Sequence, residues 1–162
     1  MQTENTHFLQ LLHNAIDSVD SHFDCPETFT QDACGALAMA LLQFSMQHSA
    51  SPGLRIGVIF RIERNCDDDE ELDTTFSHAM LATEDDTFDI HGNDAENRWY
   101  AHVEMMECTP DTYNDTEYKE YSLEEAVALF SEWGVSMNHY DTLCSLLGVN
   151  SIDVFSRTKR IA

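Results

Sequence analysis

Cys34 stands directly before Gly35 at the front of FTQDACGALAMALLQF, and two residues downstream, His78 and Asp89, have the types that could make that cysteine a nucleophile. The reactive form of cysteine is the thiolate. The first turn of a helix, with its unpaired N–H groups and positive dipole end, favours that form, and a glycine in the next position lets backbone or substrate approach closely. A nucleophilic thiol also needs a base, and the base needs an orienting group. The segment FSHAMLATEDDTFDIHG reads as a hairpin turning at Thr83 to Asp86. A register pairing residues whose numbers add to 167 sets Asp89 directly across from His78, and one adding to 169 sets it diagonally across on the same face. One adding to 168 puts the two on opposite faces. In either of the first two, Asp89 would accept from one ring nitrogen and hold the tautomer whose other nitrogen faces Cys34.

The elements that must bring these residues together follow from periodicity. In HFLQLLHNAIDSV, Phe8, Leu11, Leu12, Ala15, Ile16 and Val19 recur at three- and four-residue spacings, which predicts an amphipathic helix. DCPETFTQD is a loop with potential caps Thr30 and Asp32. It leads into ACGALAMALLQFSMQH, a helix apolar nearly all round and so expected to be buried. LRIGVIFRIE alternates as a strand, RNCDDDEELDTT reads as an acidic loop, and FSHAMLA, FDIHG and RWYAHVEMM read as short strands. SLEEAVALFSEWG is a capped helix, with Ser122 and Glu125 forming the capping box and Gly134 the stop. HYDTLCSLLG is a last short helix, before the basic tail SRTKRIA. Helices first and then strands joined by short turns predict one α+β domain over residues 1–162, with N-terminal helices packed on an antiparallel sheet.

A Cys-Gly at the head of a buried helix, a histidine on a strand and an Asp on the next strand before a glycine (Cys34-Gly35, His78, Asp89-Ile90-His91-Gly92) resembles the papain-like cysteine peptidases and amidases in their small bacterial or phage-borne forms. The resemblance spans about residues 29 to 92 and consists of order and spacing. It implies a papain-like core and a Cys–His–Asp triad acting on an amide or thioester: Cys34 attacks, His78 shuttles the proton and Asp89 orients. Such families usually place a Gln upstream of the cysteine to donate to the oxyanion. Gln31, only three residues before Cys34, stands closer than the usual spacing, and the backbone N–H of Cys34 is an alternative donor.

Competing readings exist for each residue. Free cysteine is among the most buried residue types, so Cys34 also reads as one more small core residue. His78 also reads as an ordinary strand histidine, and Asp89 as one acid among 30. His102-Val103-Glu104 has the H-x-E spacing of a zinc deaminase but no P-C-x-x-C follows. His91 and His102 with Asp89 as metal ligands is a rarer arrangement than satisfied histidines, and the acidic loop lacks the glycine and spaced oxygens of a calcium loop. No metal or cofactor is expected. Trp99 and Tyr100 read as packing on the sheet or walling a substrate groove.

Composition bounds the function. Eight basic residues against 30 acids give a net charge of −22. Between Glu63 and Glu125 there are 21 acids and 3 bases, Arg64, Arg98 and Lys119. Such a surface repels nucleic acid and membranes and favours a basic protein or peptide. No basic leader and no long apolar run is present, so neither a signal peptide nor a membrane span is expected. Five widely spaced cysteines without C-x-x-C fit reduced thiols in a cytoplasm. The sequence therefore predicts a cytoplasmic cysteine peptidase or amidase acting on a basic protein or peptide. The alternative is a non-catalytic acidic inhibitor or adaptor that mimics DNA charge and binds a nucleic-acid-handling protein.

Overall fold

The computed structural model describes residues 2–49 and 53–152. The first helix, α1 (Gln2–Phe23), buries Phe8, Leu12, Ala15, Ile16 and Val19, the stripe its spacing predicts. A π-helical turn, Thr28–Asp32, then delivers the chain to α2 (Cys34–His48). The expected caps do not form. Ala33 occupies the N-cap without a side-chain bond, because the tight turn ahead of it diverts Thr30 to the Glu27 carbonyl and Asp32 to Asn138. From Cys34 to Leu42 every residue of α2 is buried, as a helix with no polar face must be.

Two long strands follow, β1 (Arg55–Asn65) and β2 (Glu71–Ala82), then the short β3 (Thr87–Asp89) and β4 (Gly92–Asn93). Next come helix α3 (Ala95–Glu104), strand β5 (Thr112–Tyr121), α4 (Leu123–Glu132) and α5 (Tyr140–Leu147). The strands form one antiparallel sheet in the order β4-β3-β2-β1-β5. The molecule is thus of mixed helix and antiparallel sheet, an α+β architecture. The main core lies between one sheet face and the helices α1, α2, α4 and α5. The opposite face carries a smaller core of Ile59, Met80, Ala95, Trp99 and Val103 under α3.

Two expectations are corrected here, and one strand is new. RWYAHVEMM is helical: Trp99 and Val103, four apart, bury one face of α3 on the sheet, and this packing overrides the strand preference of its aromatic and β-branched residues. ELDTT belongs to β2, at the exposed end of its hairpin with β1, where no apolar alternation is required. TYNDTEYKEY, whose polar residues carry no apolar alternation, forms the edge strand β5. The capping box of α4 is complete, with the Ser122 hydroxyl accepting from Glu125 N–H and the Glu125 carboxylate accepting from Ser122 N–H. Gly134, at φ +63°, ends that helix in a conformation costly for other residues. The basic tail from residue 153 lies outside the described residues. No helix among those described is long and apolar enough to cross a membrane.

Candidate active site

The hairpin register decides whether His78 and Asp89 can meet. Leu81 pairs with Phe88 and Ala82 with Thr87, the register whose numbers add to 169. The turn is closed by Thr83 N–H donating to the Asp86 carbonyl at 2.9 Å. Asp89 therefore lies diagonally across from His78 on the same face. His78 Nε2 donates to Asp89 Oδ2 at 2.9 Å, and both side chains are buried, at 0% and 3% exposure. Two local features aim the histidine. A register shift between Ile59 and Phe60 leaves Ser77 without a partner on β1, a bulge directly before His78. The β3 ladder has already ended at this level, so β2 is open on that side and helices from both faces can approach the imidazole.

From one face comes Trp99 of α3, whose ring stacks on His78 with centroids 4.0 Å apart and planes 16° from parallel. Its indole N–H is fixed by Ser77 Oγ at 2.8 Å. From the other face comes Cys34 at the head of α2. With Nε2 taken by Asp89, Nδ1 is the nitrogen left to the sulfur. Nδ1 makes no well-aligned hydrogen bond, yet the Cys34 side chain lies near enough for its hydrogen bonding and charge to favour the protonated ring. Gly35, next to Cys34, permits the close packing of α2 on Val135 and Phe130, since a Cβ there would lie 2.7 Å from Val135 Cγ1 and 3.3 Å from the Phe130 ring.

The electrostatics of the pair follow from burial and partners. Burial alone would push His78 down, but the Asp89 hydrogen bond and the adjacent Cys34 outweigh it and raise the group to about 9. For Asp89, burial pushes up, while His78, Arg98 and the His91 N–H together draw the carboxyl down to about 2. Arg98 Nη2 and His91 N–H each donate to Asp89 Oδ1 at 2.9 Å. At neutral pH the site thus holds a buried imidazolium against a carboxylate with three donors.

No family profile, curated protein or solved structure matches the chain.

The remaining sequence candidates fall elsewhere. Gln31 lies on the π-helical turn, and its side chain is outside what the structure describes. His91 touches Asp89 through its backbone, and His102 packs against Trp99 with ring centroids 4.4 Å apart. Among the described residues no group of three or more His, Cys, Asp or Glu is arranged to hold a metal ion. Cys25 is exposed and donates to Glu27. Arg98 escaped the sequence reading. Its signal was nonetheless present, since it is the one Lys or Arg between Arg64 and Lys119 in a strongly acidic stretch.

Proposed function

We propose that the chain is a papain-like cysteine hydrolase, of peptidase or amidase type, acting on a protein or peptide through Cys34, His78 and Asp89. The observation that carries this reading is the series of three groups around one buried ring: Asp89 on Nε2, and Cys34 beside an otherwise unsatisfied Nδ1. A buried polar nitrogen without a partner needs an explanation, and a proton donor held for a reacting group supplies one.

In the proposed reaction the Cys34 sulfur, whose proton has already passed to His78 to give the thiolate and the imidazolium, forms a bond to the substrate carbonyl carbon as the carbonyl π pair moves onto oxygen. His78 then gives that proton to the leaving nitrogen as the C–N bond breaks, leaving a thioester on Cys34. A water molecule, giving its proton to His78, hydrolyses the thioester and restores the thiol. The N–H of Cys34, at a helix end with no side-chain cap, would bind the oxyanion in place of the Gln31 side chain. The acidic surface favours a basic substrate, and five free cysteines favour a reducing cytoplasm. A second reading, a non-catalytic acidic adaptor, rests on a surface concavity lined by Glu84, Asp85, Asp86, Asp94, Glu96 and Glu120.

Cysteine alkylation separates the two readings. Burial pushes the Cys144 thiol up, and Cys144, buried like Cys34 but beside Tyr140, serves as an internal control. Iodoacetamide near neutral pH should label Cys34 faster than Cys144 and faster than the exposed Cys25, Cys66 and Cys108. His78→Ala should slow Cys34 labelling, and with any hydrolysed substrate should cut turnover by about 10²–10⁴-fold. Labelling of Cys34 no faster than Cys144, and unchanged by His78→Ala, would leave the adaptor.

A further inference from the structure

The carboxylate that orients His78 is itself oriented, and we infer that Arg98 is a positioning residue that fixes Asp89 in the geometry His78 requires. The inference rests on the cysteine-hydrolase reading for the use to which the pair is put. Arg98 Nη2 donates to Asp89 Oδ1, to the Gly92 carbonyl and to the Asn93 carbonyl, each at 2.9 Å, and Nε donates to the Asn93 carbonyl at 3.2 Å. One guanidinium therefore ties the Asp89 carboxylate to the backbone of β4 and to the start of α3. Its planar fork suits this task, since an ammonium cannot hold several acceptors in fixed directions.

The division of labour within Asp89 makes the role specific. Oδ2 faces His78 alone, while Oδ1 takes both Arg98 and the His91 N–H. The carboxylate plane is therefore set from the side away from the imidazole. The charged side chains that face Asp89 are His78 from β2 and Arg98 from α3. The turn between β3 and β4 contributes only the neutral His91 N–H. The Arg98 hydrogen bond is among the causes that hold Asp89 low, and its side chain is 36% exposed, so solvent reduces its effect without abolishing it.

The test reads the pair itself. The ring resonances of His78 are followed by NMR through acid titration in the wild type, Arg98→Gln and Arg98→Lys, with the thermal midpoint of each recorded to establish folding. The acid midpoint of the Asp89–His78 pair should rise by about one pH unit in Arg98→Gln. It should fall between the two in Arg98→Lys, which keeps the charge but loses the fork. Methylguanidinium in the buffer should return the Arg98→Gln midpoint toward wild type. A purely structural Arg98 would lower the thermal midpoint and leave the acid midpoint where it was, and that result overturns the inference. Should Arg98→Gln not fold, the Arg98→Lys midpoint decides: a value equal to wild type is negative. Iodoacetamide labelling in the same variants keeps the two claims apart. A shifted pair beside an inert Cys34 sinks the hydrolase reading and leaves the Arg98 role, whereas a reactive, His78-dependent Cys34 with an unshifted pair does the reverse.

Discussion

Asp89 and Asp68 are the same residue type in two regions with opposite physics. Asp89 is 3% exposed, and His78, Arg98 and a backbone N–H all donate to its carboxylate. Asp68 sits in the exposed turn between β1 and β2, where its carboxylate accepts from the Glu70 N–H two residues on. Taking a carboxylate out of water costs several kcal/mol unless partners are in place, whereas an exposed one is stabilised by solvent whatever its neighbours do. The buried acid is therefore intolerant of change. The exposed acids act together, through a summed field rather than through single contacts.

The largest effect should come from breaking the buried pair. Asp89→Ala leaves a cationic His78 enclosed by Trp99 and the sheet, and such an unpaired charge costs about 3–5 kcal/mol. The thermal midpoint should fall accordingly, and Cys34 labelling should slow. The pH dependence has a defined window. Asp89 is lowered on folding, so its stabilisation is present above the ordinary carboxyl value of 3.8 and is lost as pH falls through about 2. His78 is raised on folding, so its stabilisation is full below 6.5 and is lost as pH rises through about 9. The difference in thermal midpoint between wild type and Asp89→Ala should therefore be widest between about pH 4 and 6.5. A difference constant from pH 4 to 10 would mean that the histidine is buried neutral.

A smaller effect sharpens the packing side of the comparison. Gly35→Ala places a methyl against Val135 and Phe130. Overpacking of this kind costs about 1–3 kcal/mol, partly offset by the better helix propensity of alanine. A net loss of thermal midpoint together with slower Cys34 labelling would tie the fit of α2 against Val135 and Phe130 to the reactivity of the neighbouring sulfur. Unchanged stability would show that this segment yields freely.

The two regions also differ in how far they were legible in the sequence. α1, β1, α4 and α5 announce themselves because burial imposes a period, α2 because it is an unbroken run of apolar helix formers, and the Ser122–Glu125 box marks the start of α4. The hairpin placed His78 and Asp89 on one face under two of three registers, and the observed register is one of those two. The polar elements were opaque: the far end of β2 and the whole of β5 carry no apolar alternation, since they are exposed or edge strands. α3 was misread because ten residues containing Trp99, Tyr100 and Val103 suit a strand equally well until the sheet face they cover is known. Arg98 was lost with it, and Trp99, expected to pack on the sheet, does so, but its stacking on His78, like the Arg98 contact to Asp89, depends on how α3 crosses the sheet. The lack of any N-terminal side-chain cap on α2 was likewise hidden, because Thr30 and Asp32 have the right types and find other partners.

The smallest effect on stability should come from the exposed acids. Changing Asp67, Asp68, Asp69, Glu70 and Glu71 to Asn or Gln removes five charges from one turn while keeping the local acceptors. An Asn at 68 can still accept from the Glu70 N–H, and an Asn at 69 can still accept from the Tyr113 hydroxyl and adopt the left-handed backbone seen there. Each change should move stability by no more than about 0.5 kcal/mol, and removing self-repulsion from a chain of net charge −22 works in the stabilising direction. Binding is where the field should show itself. If the acidic turn draws in a basic protein or peptide, capture should weaken steeply with salt, because the Debye length falls from about 10 Å at 0.1 M to about 3 Å at 1 M. The five-fold variant should then bind more weakly at low salt and converge with wild type at high salt. Measured with a polylysine peptide as probe, equal affinities of the two proteins at low salt would confine the acids of this turn to keeping the surface hydrated. A difference that salt erases would make the turn part of the route by which a basic chain reaches Cys34, and Cys34→Ala should leave that capture intact while removing any product.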